Sequence, residues 1–179
     1  MRIEATDRWR NELVALRLLR TEDVTDTYVD WLNDPEINRF LESRFQRQDS
    51  AGVEAYVEAM LASDRNLLLA ITDRALGLHV GNIKLGPIDR PHGLGDIGIM
   101  IGDRAAWGLG LGTAAIRCLV DIARDELGLR KLSAGCYASN RGSVRAFEKV
   151  GFQVEAVRPH HFDLDGRFED HILLSRFLI

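Results

Sequence analysis

The stretch Asp103-Arg104-Ala105-Ala106-Trp107-Gly108-Leu109-Gly110-Leu111-Gly112-Thr113-Ala114-Ala115 decides how this chain is read. Its glycines, at alternate positions, allow a tight turn and close approach to the backbone. A helix beginning at Thr113 would add unpaired N–H groups and the positive end of its dipole. An anion such as a pyrophosphate suits that arrangement. The same spacing also serves a turn that lets a helix and a sheet pack closely, and the segment alone leaves both readings open. No Gly-Lys-Ser/Thr ending follows, which speaks against an ATP-binding loop and phosphoryl transfer. The acidic ribose contact expected after a first βα unit is also missing, which speaks against a dinucleotide fold.

Working outward, the helix is expected over 113–127 with Gly128 as its terminator, and a strand over 96–101 leads into the loop. Upstream, a strand over 13–19 precedes a helix over 22–32 capped by Thr21, whose packed stripe holds Val24, Tyr28, Trp31 and Leu32. Asp34-Pro35-Glu36 reads as a second helix start, and Val53, Tyr56, Val57, Met60 and Leu61 form one helical face after Ser50. Apolar runs at 67–71 and Leu78–Leu85 flank a turn and suggest a hairpin. Downstream come a strand at Lys131–Tyr137, a short helix at 143–150, a strand at 152–157 and a last strand at 168–177. The order is mixed α/β, without an internal repeat or an interdomain linker, so a single domain spanning 1–179 is expected.

A second motif lies downstream: Ala138-Ser139-Asn140-Arg141-Gly142-Ser143-Val144-Arg145-Ala146-Phe147-Glu148-Lys149-Val150-Gly151-Phe152. The two segments together resemble the GNAT N-acetyltransferases, the first their acyl-CoA pyrophosphate motif and the second their Asn-containing loop, short helix and Lys-x-Gly-Phe ending. The similarity runs from about residue 15 through 177. It includes the terminal Gly166-Arg167-Phe168-Glu169-Asp170 pattern of the branch acting on ribosomal proteins and amino sugars. It implies an α+β GNAT-like fold, with a central, mostly antiparallel twisted sheet split around an acyl-CoA cleft and flanked by helices.

Residue by residue, the resemblance implies pyrophosphate contacts from Gly108, Gly110, Gly112 and Thr113, with Leu109 and Leu111 in the same loop and Arg104 beside it. Trp107 stands where many family members carry Gln or Arg. Ile99, Met100 and Ile101 would border the splayed strand that receives the pantetheine arm. Asn140 would orient the cofactor or a water near the thioester, and Ser143 and Arg145 would assist binding. The implied reaction is direct attack of a bound amine on acetyl-CoA, with backbone N–H groups polarising the carbonyl and Asp96 as the nearby proton acceptor. Many relatives have Tyr where Phe147 stands, and a phenyl ring has no proton to give the departing sulfur.

The acceptor side is less specific. The run from Asn33 to Phe45 combines a bend with acids, amides, arginines and aromatics, and resembles the acceptor region of GNAT enzymes acting on nucleotide-linked amino sugars. Arg39 and Arg44 are candidate phosphate contacts, Phe40 a stacking platform and Glu42 a carboxylate for the amino group; His79 and His161 are further candidates. The expected acceptor is a small, amino-sugar-like amine, with nucleotide linkage allowed. The alternatives are a peptide or ribosomal-protein N-terminus, or a catalytically weak acyl-CoA-binding regulator.

Composition sets the outer limits. The 179 residues carry 23 Lys plus Arg against 27 Asp plus Glu, a net charge of -4, which disfavours long nucleic acid as a partner. A hydrophobic fraction of 46% fills a core, while no apolar run reaches the roughly 18 residues of a membrane span. Cys118 and Cys136 are too few for a disulfide framework, and the five histidines form no metal-binding pattern, so no metal is expected. The polar start after Met1 is no secretory leader, which makes the cytoplasm the expected compartment. Exposed edge strands would allow a homodimer.

Overall fold

A computed structural model describes residues 9–178; the polar leader over 1–8 lies outside them. The elements are β1 (Val14–Leu18), α1 (Asp26–Asn33), α2 (Ser50–Ala62), β2 (Leu67–Asp73), β3 (Leu78–Leu85), β4 (Leu94–Ile101), α3 (Leu111–Asp125), β5 (Lys131–Tyr137), α4 (Arg141–Glu148), β6 (Gln153–Leu164) and β7 (Arg167–Phe177), with short 3-10 turns at Thr21–Asp23, Glu42–Phe45 and Arg104–Ala106. The strands form one mixed sheet in the order β1-β2-β3-β4-β5-β7-β6. β1 to β4 are an antiparallel meander, β4 and β5 run parallel, and β5, β7 and β6 are antiparallel again.

Side-chain alternation along β2 distributes the core to both faces of the sheet. Leu67, Leu69 and Ile71 point into a cluster with the buried side of α3, including Ala115, Ile116 and Leu119. Leu68 and Ala70 join Leu19, Tyr28, Trp31, Val53 and Val57 beneath α1 and α2 on the other face. The long α3 is the crossover that a parallel β4–β5 pair requires.

Several local expectations shift. The helix expected from residue 22 begins only at Asp26: Thr21 opens a 3-10 turn, and Thr25 is the cap, its hydroxyl accepting from Tyr28 N at 3.3 Å. Asp34 does accept from the amides of Glu36 and Ile37, at 2.8 and 3.3 Å, but the chain continues in turns and no regular helix follows Pro35. Tyr56 and Leu61, expected in the packed face of α2, are 43% and 46% exposed, and Val53 and Val57 carry its burial. β6 extends to Leu164, well past residue 157, through register shifts between Val154 and Ala156 and between Arg158 and Phe162. Such irregularities break the period-2 pattern on which a strand reading depends.

Candidate active site

β4 and β5 are hydrogen-bonded neighbours only over Leu94–Asp96 and Lys131–Ser133. Beyond Asp96 each strand keeps its other partner, β4 on β3 and β5 on β7, and the sheet opens into a V. The Asp96 carbonyl accepts from Gly86 N at 2.8 Å on the β3 side. Strand alternation therefore turns the N–H and C=O groups of Ile97 and Ile99 toward the opening.

The N-terminus of α3 faces the same space. Gly108 and Gly110 have φ of 77° and 83°, the left-handed region that glycine occupies without strain. The first intrahelical bond runs from Ala114 N to Gly110 O at 3.0 Å, so the amides of Leu111, Gly112 and Thr113 precede it and remain available to a ligand. A Cβ on Gly108 would meet nothing within 4 Å, so the loop leaves room at its mouth. The V and the mouth bound a cleft of about 820 Å³. Its third wall is α4. Asn140 caps this helix by accepting from Ser143 N at 3.2 Å, which commits its Oδ1 and leaves Nδ2 to donate. Ser143 Oγ lies 3.3 Å from the buried Cys136 Sγ, and burial raises that thiol's pKa.

Of the donor-side residues expected from the sequence, all line this cleft except Asp96, Arg104 and Leu109. Asp96 sits on the last paired rung opposite Ser133. Exposed on its strand, it is still desolvated enough to raise its pKa, against the lowering effects of a Ser133 hydrogen bond and the Lys84 charge. Arg104 forms ion pairs with Asp34 at 2.6 Å and Glu36 at 2.5 Å, which ties the donor loop to the acceptor segment and occupies its guanidinium. The hydrogen bond from Arg104 holds the Asp34 carboxyl below the usual range. Leu109 is 59% exposed and points away from the cleft. Trp107 lines it and donates from Nε1 to Ile101 O at 2.8 Å, closing off the end of β4.

On the acceptor side, Arg39, Phe40 and Glu42 line the cleft, and Arg44, His79 and His161 do not. Arg44 is largely buried in the wall behind, donating to Asp163 O at 2.7 Å and lying over the Phe45 ring at 4.2 Å. His79 is half-buried and packs edge-on to Tyr28 and Trp31, with Nε2 2.8 Å from Asn82 Oδ1. His161 is exposed and stacks on His171 at 5.1 Å. Sequence reasoning gave Tyr137 no primary catalytic role, yet this residue joins the acceptor-side groups to one another. Its hydroxyl donates to Glu42 Oε1 at 2.8 Å, and its ring stacks on Phe162 at 4.0 Å and lies 5.6 Å from Phe40. Alternation along β5 buries Leu132, Ala134 and Cys136 on the other face, and what Tyr137 meets follows only from the β7 pairing, where it opposes His171. Phe147 is buried, as its phenyl ring requires, edge-on to Phe152 at 5.1 Å.

An elongated cleft with free amides at one wall, a parted strand at its floor and a carboxylate–phenol pair at its end fits a diphosphate-bearing thioester meeting an amine. Comparisons with known proteins agree. A segment 40% identical over 73 residues is shared with the probable N-acetyltransferase YjcK of Bacillus subtilis, covering 41% of this chain and 40% of that protein. The aminoglycoside N(6')-acetyltransferase type 1 of Klebsiella pneumoniae is 26% identical over 152 residues, 80% of this chain and 75% of that one. The fold is that of the Vibrio cholerae spermidine N-acetyltransferase solved with CoA and spermine, with a TM-score of 0.83, 20% identity, and coverage of 94% of this chain and 97% of that one. The family model of the acetyltransferase (GNAT) domain matches residues 14–153, and with the parted sheet and open α3 mouth it shows that the chain belongs to the GNAT family of acetyl-CoA-dependent acetyltransferases.

Proposed function

We propose that this chain acetylates a primary amine of a small cationic acceptor, polyamine-like or amino-sugar-like, at the junction of the β4–β5 opening and the Glu42–Tyr137 pair. The carrying observation is that the gap between the strands, the α3 mouth and the acidic, aromatic end belong to one continuous cleft. Bound acetyl-CoA supplies an acetyl group activated as a thioester. The Leu111, Gly112 and Thr113 amides and the Thr113 hydroxyl hold its diphosphate, and the Ile97 and Ile99 backbone donors line the opening for its acyl arm.

At the acceptor end, Glu42 attracts an ammonium, Tyr137 fixes the carboxylate by hydrogen bonding, and Phe40 and Phe162 supply aromatic faces for the cation. The amine must shed a proton before it attacks. Asp96 receives that proton through water: it shares its strand face with Gly98, which lines the cleft, and its raised pKa makes it the stronger base. Asn140 Nδ2 orients the pantetheine arm or a water. Phe147 donates nothing, so water returns the proton to the departing sulfur.

Two features favour an acceptor without a diphosphate. Arg104 is neutralised by Asp34 and Glu36 and Arg44 is spent on the Asp163 carbonyl, which leaves Arg39 alone of the three facing the cleft. Two of the named relatives are by name acetyltransferases of aminoglycosides and of spermidine, compounds that carry primary amines and no phosphate. Titration with acetyl-CoA, followed by an acceptor screen over polyamines, aminoglycosides, nucleotide-linked amino sugars and peptide N-termini, tests the reading. Acceptor-dependent CoA release with the first two classes is expected. Release only with peptides or nucleotide sugars would overturn the acceptor assignment, and binding without release in any class would favour the regulatory alternative.

A further inference from the structure

The α4 wall carries two cations: Arg145, for which the family resemblance implies only general assistance in binding, and Lys149, to which it gives no role. Arg145 and Lys149 both line the cleft, four residues apart and so on one helix face, and both are exposed. Among the described residues neither forms an ion pair, whereas Arg104 and Arg44, both outside the lining, are engaged. Glu148, between them in sequence, is not part of the lining. Lys149 lies about 13 Å along the helix axis from Asn140, at the end of α4 farthest from the cap. The acceptor side of the lining thus mixes Glu42 and Tyr137 with Arg39 and with Glu36, which Arg104 already pairs, whereas the two cations toward the end of α4 have no carboxylate partner.

The α3 mouth offers neutral amides, which suit a diphosphate threading past a backbone. A terminal phosphate monoester is more highly charged and more exposed, and it is matched by mobile cationic side chains. CoA carries one such group, the 3'-phosphate of its ribose. We propose that Arg145 and Lys149 form the recognition pair for this 3'-phosphate, so that the chain distinguishes CoA from dephospho-CoA. The proposal rests on the acetyl-CoA reading and adds a specificity determinant to it.

Last-turn cations also complement a helix dipole. That role predicts reduced stability on their removal, with no effect on the preference between the two nucleotides. Calorimetric titration of the chain with CoA and with dephospho-CoA separates the two roles. Wild type is expected to bind CoA roughly tenfold more tightly, with the preference shrinking at high salt. The double variant Arg145→Gln/Lys149→Gln should bind both nucleotides with the affinity wild type shows for dephospho-CoA. Lys149→Arg should keep the preference, as should Arg117→Gln, which removes an exposed charge outside the cleft. If the double variant does not fold, each single variant should lose part of the preference. Equal wild-type affinities, or a preference that survives both substitutions, would overturn the pair and leave the acetyl-CoA assignment standing. Absence of binding by either nucleotide would overturn both.

Discussion

Asp96 shows how one residue's surroundings set its chemistry. Desolvation lifts its pKa in the folded chain, so ionising it costs stability once the pH passes the unfolded carboxylate value. Asp96→Asn should therefore raise the melting temperature at pH 7 by more than at pH 4, where both forms of the group are increasingly neutral. If Asp96 takes the amine's proton, the same variant should lower kcat about 10- to 100-fold and erase the acidic limb of the rate profile. Thermal melts at the two pH values and pH-dependent kinetics check the two halves separately. Tyr137→Phe preserves the stack on Phe162 and removes the hydrogen bond to Glu42. Its expected effect is a severalfold rise in acceptor KM with an unchanged dissociation constant for CoA.

At the scale of elements, the proposed donor site rests on the backbone of the α3 mouth. Gly110 is the helix N-cap at φ 83°, so any side chain there is strained, and a large one also fills the approach to the amides. Gly110→Trp should weaken acetyl-CoA binding at least tenfold in calorimetry while the circular dichroism spectrum persists. That element was legible from the sequence because glycine spacing and a following amphipathic run are local signals. The start of α1 was legible only roughly. Thr21 and Thr25 are equally good caps in sequence, and the Arg17–Asp23 ion pair at 2.6 Å, made across the intervening turn, holds residues 21–23 out of the helix. Thr25→Ala should accordingly destabilise the chain by about 1 kcal/mol in denaturant unfolding.

Across the whole molecule, Arg44 joins parts distant in sequence. Its guanidinium links the 3-10 turn at Glu42–Phe45 to Asp163 near the tip of the β6–β7 hairpin, with Phe45 and Tyr137 on its flanks. Arg44→Leu should loosen the acceptor wall, lowering the melting temperature and raising acceptor KM while CoA binding stays close to wild type. The sequence had suggested Arg44 as a ligand for substrate phosphate. An arginine among aromatics looks the same in sequence whether its fork meets a ligand or a carbonyl over a hundred positions away. His79 was misjudged for the same reason, since the rings of Tyr28 and Trp31 that enclose it come from α1.

The sequence alone determined the local geometry of the proposed donor half: alternate glycines, an amphipathic helix and an Asn cap are local patterns whose backbone consequences do not depend on distant contacts. Tertiary structure decided the acceptor half. Glu42, Tyr137 and Phe162 meet through the β5–β7 register and a bulged β6, and which side of a strand faces the cleft is set by its pairing. A side chain's neighbours across a sheet are settled only when the sheet forms.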